Sequence, residues 1–130
     1  MGRKDTGKNF ESEIRRSLKS SRHIWWFRIQ DTNDVSRYVK KAVAEKQPAD
    51  FIAVYRSVPI LIECKTTRNL TAFPLYYGDT RSIPKHQVEY GKSLQRNGGI
   101  SLILLRRDEP RNKTVYALTP EQVAYLYRSF

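Results

Sequence analysis

Two short apolar runs, separated by only four residues, constrain the fold of this chain more than any other feature. Phe51–Tyr55 and Ile60–Ile62 consist mostly of β-branched and aromatic residues, which favour buried strands. The connection between them, residues 56–59, is short enough for a hairpin. The sequence therefore predicts two paired strands that are buried within a sheet.

Polar residues flank this predicted hairpin. Asp50 precedes the first run, and Glu63 and Lys65 follow the second, on one face because strand side chains alternate. An ionised Glu against a core strand needs a partner, since its desolvation is costly. Two acids and an amine at one sheet edge can hold a hard divalent cation and orient a water molecule. Cys64 is predicted to point to the opposite face, which argues against a nucleophilic role.

The charge balance favours a polyanionic partner. Lys and Arg number 24 against 13 Asp and Glu, a net charge of +11 in 130 residues, so nucleic acid is the first candidate. A basic protein with an unrelated role is the alternative. The single cysteine excludes an internal disulfide and favours a reducing, intracellular setting. No apolar run approaches the length of a membrane span.

Periodicity and turn residues predict the remaining elements. A helix from about Gly7 to Ser20 would bury Phe10, Ile14 and Leu18. The further predicted elements are a strand over His23–Ile29 with its aromatic residues in the core, a helix over Pro84–Asn97, strands over Ile100–Leu105 and Thr114–Leu118 joined by a basic turn over Arg106–Lys113, and a helix from Pro120 to about Tyr127. This order predicts one α/β domain, a central mixed β-sheet flanked by helices.

Two segments do not follow these periodicities. Residues 1–8 are rich in Gly and Lys and are predicted to be a mobile basic arm. Residues 31–47 carry Arg37, Lys40 and Lys41 and are predicted to project as a stalk or arm that touches nucleic-acid backbone, with an ordinary solvated helix face as the alternative.

Asp50 followed by Glu63-Cys64-Lys65 resembles the signature of the PD-(D/E)xK nuclease superfamily, with one residue inserted between Pro48 and the Asp. With Gly7–Glu11, Leu61–Thr67 and Pro84–Gln87, the chain most resembles the RecU family of Holliday-junction resolvases, followed by the archaeal Hjc-type resolvases. The resemblance spans about residues 7–126. It implies a single-domain restriction-endonuclease-like fold over residues 1–130.

The resemblance also implies roles for the matched residues. Asp50 and Glu63 would bind Mg²⁺, with Mn²⁺ as a substitute, and the backbone carbonyl of Cys64 and the carboxylate of Glu11 would complete the metal site. Lys65 would polarise the attacking water or stabilise the phosphate, and Gln87 would support the site. The alternative for Glu11 is that it only interacts favourably with the dipole at the start of its helix. For Glu13 this dipole interpretation is the preferred one.

The implied activity is resolution of four-way DNA junctions by paired, symmetric nicks, performed by a homodimer. The implied location is the cytoplasm, in association with the nucleoid. For a viral protein it would be the host cytoplasm. The candidate DNA contacts are Lys8, Arg28, Arg37, Lys40, Lys41, Thr66, Arg68 and Lys85. Two alternatives remain open. One is a nuclease of this fold with a restriction or repair substrate. The other is a non-catalytic nucleic-acid-binding protein in which Glu63 and Lys65 form a surface ion pair.

Overall fold

The computed structural model describes residues 6–29, 47–67, 85–108 and 113–129. The helices are α1 (Thr6–Ser20), α2 (Lys85–Arg96) and α3 (Pro120–Ser129). The strands are β1 (Trp25–Arg28), β2 (Phe51–Tyr55), β3 (Val58–Thr67), β4 (Ile100–Asp108) and β5 (Lys113–Leu118). Within the described ranges, the predicted order of helices and strands is confirmed.

The five strands form one sheet in the order β1-β2-β3-β4-β5. The pairs β1–β2, β2–β3 and β4–β5 are antiparallel, whereas β3 and β4 are parallel. A parallel pair requires a crossover connection, and α2 lies within it. The predicted mixed sheet is confirmed, and β3 is its central strand.

Helices cover both faces of the sheet. On one face, Leu18 of α1 joins a buried cluster with Phe51, Ala53 and Ile62. On the other face, Val88 of α2 and Val123 of α3 pack against Ile103 of β4. The predicted apolar stripe of α1 is confirmed, because Phe10 and Leu18 are buried and Ile14 is half-buried.

The predicted ends of two helices are confirmed by their hydrogen bonds. After α2, Gly98 has a φ of +93°, and the N–H groups of Gly98 and Gly99 donate to the carbonyls of Gln95 and Leu94. This pattern is a Schellman motif, which glycine permits at low cost. At α3, the backbone N–H of Gln122 donates to Thr119 Oγ1, and the N–H of Thr119 donates to Gln122 Oε1. These two bonds form a capping box.

Two sequence predictions are wrong. The predicted core position of the β1 aromatic residues fails for Trp25 and Phe27, which are 60% and 57% exposed, while Trp26 packs edge-on against Phe51. β1 is an edge strand, so only one of its faces is covered by α1. The predicted basic turn over Arg106–Lys113 is also wrong at its start, because β4 continues to Asp108.

Several predictions concern residues outside the described ranges. They include most of the predicted stalk over residues 31–47 and the candidate DNA contacts Arg37, Lys40, Lys41 and Arg68. Of the predicted arm over residues 1–8, Thr6, Gly7 and Lys8 belong to α1. Among the described helices, none combines the length and the apolar character that crossing a membrane requires.

Candidate active site

Asp50 lies where β2 begins, and its backbone extends the sheet on both sides. Its N–H donates to the carbonyl of Ile62, and its own carbonyl accepts from the N–H of Ile29. The carboxylate is held as well, since Oδ2 accepts a 2.8 Å hydrogen bond from the backbone N–H of Cys64. Main chain and side chain together therefore place Asp50 beside the end of β3.

Glu63 and Lys65 project from the same face of β3, as their spacing predicts. Glu63 is only 4% exposed, and its Oε2 lies 3.1 Å from Lys65 Nζ. The Lys65 side chain keeps 26% of its surface exposed, so the ammonium borders solvent. The pair is therefore not the surface ion pair that the non-catalytic alternative assumed.

Burial and neighbouring charges shift the pKa values of both carboxyl groups. Burial, together with the carboxylate of Glu63, raises the pKa of Asp50 from 3.8 to about 7. Burial also raises the pKa of Glu63, against the opposing effects of Lys65 and of hydrogen bonding by Gln87. A half-buried and a buried acid beside one amine leave a deficit of positive charge, which is typical of sites that bind a cation.

Cys64 lies between Glu63 and Lys65 in sequence but does not share their chemistry. Burial and the nearby carboxylates of Asp50 and Glu63 raise the pKa of its thiol well above the ordinary value. A thiol held in its neutral form is a poor nucleophile. This agrees with the prediction that Cys64 is not a nucleophile.

Gln87 reaches the site from the first turn of α2. Its side chain is half-buried and hydrogen-bonds to Glu63, which favours the ionised form of that acid. His86 Nε2 lies 3.1 Å from the carbonyl of Gln47, so the start of α2 also contacts the segment that leads to Asp50. The sequence predicts that Gln87 lies in the first turn of this helix. Its contact with Glu63 depends on how the crossover between β3 and β4 positions α2.

Glu11 lies at the border of the site, on the inner side of α1. Its Oε1 accepts a 2.8 Å hydrogen bond from Arg28 Nε, and its charge contributes to the raised pKa values of Asp50 and Glu63. Glu11 is therefore close enough to act electrostatically, while one of its oxygens is bound to an arginine. Its role as a metal ligand stays a prediction.

The oxygen donors present fit a hard divalent cation. Glu63 Oε1 is buried and has no hydrogen-bond partner in the part of the chain that the structure describes. Within that same part, no three His, Cys, Asp or Glu side chains are grouped as a metal-binding set. Mg²⁺ is commonly held by one or two carboxylates and retains several waters. Asp50 and Glu63 would thus hold it, with the carbonyl of Cys64 as a further predicted donor.

A network on the other face of the sheet was not predicted from the sequence. Arg106 is 3% exposed, and its guanidinium lies 2.8 Å from Glu13 Oε2 and 2.7 Å from Asp108 Oδ1. It also lies 4.8 Å from the ring centroid of Phe10, as a cation–π contact. Glu13 is the eighth residue of α1, beyond the first turn that the helix-dipole interpretation favours, and its carboxylate binds Arg106. No local signal reveals it, since the partners are 93 positions apart.

The candidate DNA contacts within the described ranges occupy different environments. Lys8 is exposed on α1, and Arg28 is exposed on β1 although its Nε is bound to Glu11. Thr66 is half-buried directly after Lys65. Lys85 is exposed at the start of α2, 3.8 Å from Glu89. Contact of these residues with DNA stays a prediction.

The comparison with known families decides the relationship of this chain. The family model described as RecU, Recombination protein U, matches residues 6–129. The chain belongs to the RecU family. That match spans α1 to α3, so it includes every described element of the candidate site.

Individual RecU relatives match a shorter stretch. The chain is 39% identical over 57 residues to the Holliday junction resolvase RecU of Shouchella clausii, covering 44% of this chain and 25% of that protein. It is 37% identical over 57 residues to the Holliday junction resolvase RecU of a Geobacillus species, covering 44% of this chain and 26% of that protein. The matched stretch thus spans about a quarter of each relative.

A solved structure agrees with the fold of this RecU-family chain. Hjc of Archaeoglobus fulgidus, a Holliday junction resolvase from an archaeal hyperthermophile, superimposes with a TM-score of 0.54 over 88% of this chain and 78% of that one. Sequence identity is 16%. The predicted α/β restriction-endonuclease-like fold is confirmed.

Proposed function

We propose that this chain is a metal-dependent endonuclease that resolves four-way DNA junctions by paired, symmetric nicks. The observation that carries the proposal is the buried Glu63 carboxylate, which is paired with Lys65 at 3.1 Å and lies beside a second acid, Asp50, of raised pKa. Membership of the RecU family and the names of its relatives, which are Holliday junction resolvases, support the same reaction.

The proposal gives each side chain a role that its position supports. Asp50 and Glu63 hold the divalent cation, for which Mg²⁺ or Mn²⁺ suits the oxygen donors. When bound, such a cation lowers the pKa of water and offsets charge that develops on the phosphate. The Lys65 ammonium, whose side chain is 26% exposed, stabilises the negative charge of the attacked phosphate and orients the incoming water. Gln87 hydrogen-bonds to Glu63 and favours its ionised form.

A junction resolvase must cut two strands that are related by two-fold symmetry. A homodimer presents two identical sites to them, and two-fold dimers are the commonest oligomers. Sedimentation of the chain alone and with junction DNA tests this part of the proposal. A monomer under both conditions would contradict paired nicking. A cytoplasmic, nucleoid-associated location is expected from a DNA substrate and the single cysteine.

The decisive experiment compares a labelled four-way junction with a linear duplex of matched sequence. We expect symmetric nicks in the junction alone, with Mg²⁺ present, and their loss in EDTA and in Lys65→Ala. Equal cutting of both DNAs would support a nuclease but contradict junction specificity, and would favour the restriction or repair alternative. Binding without any cutting would favour the non-catalytic alternative.

A further inference from the structure

The outer side of α1 carries a row of side chains formed by Lys8, Ser12, Arg15 and Lys19, here called the α1 row. We propose that the α1 row binds the phosphate backbone of one duplex arm of the DNA substrate and aligns that arm with the two carboxylates. This inference rests on the proposed function, because it specifies how the same site receives its substrate.

The spacing of the α1 row places its members on one helix face. They follow one another at intervals of four, three and four residues, which is the repeat of a single helical stripe. All four are exposed, whereas Phe10 and Leu18 are buried on a different face of the same helix. The row is therefore available to a partner without any rearrangement of the core.

The acids of α1 do not neutralise the α1 row. Glu11 binds Arg28 of β1 at 2.8 Å, and Glu13 binds the buried Arg106 of β4 at 2.8 Å. Both carboxylates are thus engaged by arginines of the sheet. The charge that α1 presents outward is positive, as contact with phosphates requires.

A cleft joins the α1 row to the candidate active site. It has a volume of about 320 Å³ and is lined by Lys8, Glu11, Ser12, Arg15, Arg28 and Phe51. Glu11 lines the cleft, and it lies close enough to Asp50 and Glu63 for its charge to act on both carboxyl groups, so the cleft borders the candidate active site at Glu11. A backbone that enters the cleft along the α1 row is led to the residues that would cut it.

The length and composition of the α1 row suit a duplex. Lys8 and Lys19 are 11 positions apart, which corresponds to roughly 16 Å at 1.5 Å per residue, or about five base-pair steps of 3.4 Å. The row consists of two lysines, an arginine and a serine, which bind phosphate oxygens. It holds no aromatic ring, whereas surfaces for single strands stack bases on aromatic side chains.

The test compares two double variants that each lose two positive charges. Arg15→Gln with Lys19→Gln removes half of the α1 row. Arg56→Gln with Arg96→Gln is the matched control, since both residues are exposed, at the β2–β3 turn and at the end of α2, far from Asp50. Fluorescence anisotropy with a labelled four-way junction in EDTA measures Kd from 0.05 to 0.5 M salt without cleavage.

Log K falls as log salt rises, and we expect this slope to be less steep in the α1-row variant by about 1.8, or about 0.9 per lost phosphate contact. If both proteins bind equally near 1 M salt, this difference corresponds to a roughly 60-fold weaker Kd at 0.1 M. The control should keep the wild-type slope. Equal losses in both variants would mean a general charge effect, and no loss in the α1-row variant would mean no contact. Either result would overturn the inference.

A second measurement locates the contact on the DNA. Uncharged methylphosphonates replace phosphates in windows of about five base pairs along one arm, a length set by the α1 row. Substitution in one window should weaken DNA binding by the wild type and leave binding by the α1-row variant unchanged. Such non-additivity shows that the α1 row and those phosphates are coupled. Additive losses at every window would contradict the placement. Wild-type cleavage of the junction is scored separately, so failure of the proposed function is distinguishable from failure of the α1 row.

Discussion

The carboxylate of Asp50 accepts a 2.8 Å hydrogen bond from the backbone N–H of Cys64, the residue between Glu63 and Lys65. This bond joins the start of β2 to the C-terminal half of β3, next to the backbone bond from Asp50 N–H to the carbonyl of Ile62. The relative position of the two acids is therefore set by the hairpin register and does not require a bound cation.

The first prediction concerns the pH dependence of stability in the metal-free protein. The pKa of Asp50 is raised from 3.8 to about 7, so folding disfavours its ionised form. The contribution of Asp50 to stability is fully present below pH 3.8 and is lost as pH rises through about 7. Asp50→Asn should therefore be more stable than wild type at pH 8, by on the order of a few kcal/mol, with no advantage near pH 4. Urea unfolding in EDTA at both pH values measures this difference, and an equal advantage at both would contradict the shift.

Metal binding should stabilise the wild type through the same carboxylates. A ligand at 100 times its Kd stabilises the folded state by about 2.7 kcal/mol. We expect Mn²⁺ or Mg²⁺ to raise Tm in the wild type and to have no effect in Glu63→Gln, since the buried Oε1 without a partner is then an amide atom. Glu89→Gln, on the exposed side of α2, is the control and should respond like the wild type. If the metal raised the Tm of Glu63→Gln as much as that of the wild type, the metal would bind elsewhere.

Replacing Lys65 should change both the rate and its pH dependence. Lys65 lowers the pKa of Glu63 by its charge and by a hydrogen bond, so Lys65→Met raises that pKa further. Protons then compete more strongly with the metal at neutral pH. Cleavage should fall by about 10²-fold or more at pH 7, with the metal requirement decreasing as pH is raised. Lys113→Met, exposed at the start of β5, is the control and should keep the wild-type pH profile. An unshifted pH profile in Lys65→Met would contradict the coupling.

The Arg106 network should make a large contribution to stability. Arg106→Leu leaves Asp108, whose side chain is 10% exposed, without its cation. Breaking a buried ion pair from one side costs about 3–5 kcal/mol. The Glu13 side chain is 49% exposed, so Glu13→Gln should cost about 1 kcal/mol or less. Denaturant unfolding of the two variants should reproduce this order, and equal costs would contradict the central position of Arg106.

Gly91 is a position at which even one carbon atom should matter. A Cβ there would lie 2.4 Å from Ser101 Oγ and 2.6 Å from Pro120 Cγ. Gly91→Ala would push α2 away from β4 and α3 and should cost about 1–3 kcal/mol, despite the better helix propensity of alanine. Ser93→Ala, exposed on the same helix, should be nearly neutral. A stable Gly91→Ala protein would show that α2 can shift without penalty.

Local signals carried much of the fold prediction. Side-chain alternation along β3 places Glu63 and Lys65 on one face, and the apolar repeat of α1 selects Phe10 and Leu18 for the core. The Gly98-Gly99 stop and the Thr119 cap also depend only on neighbouring residues. Such features are predictable because backbone geometry alone relates residues a few positions apart.

The sequence by itself thus determined the order of the elements, the strand face that carries the acid and amine, and the excess of positive charge. Only the tertiary structure decided which partners those charges take. Trp25 and Phe27 are exposed because β1 is an edge strand with one covered face, a property of strand order that composition does not report. Arg106 binds Glu13, and Gln87 reaches Glu63, because helices from distant parts of the chain pack on opposite faces of β3 and β4. Burial and desolvation, which raise the pKa of Asp50, exist only once that packing is complete.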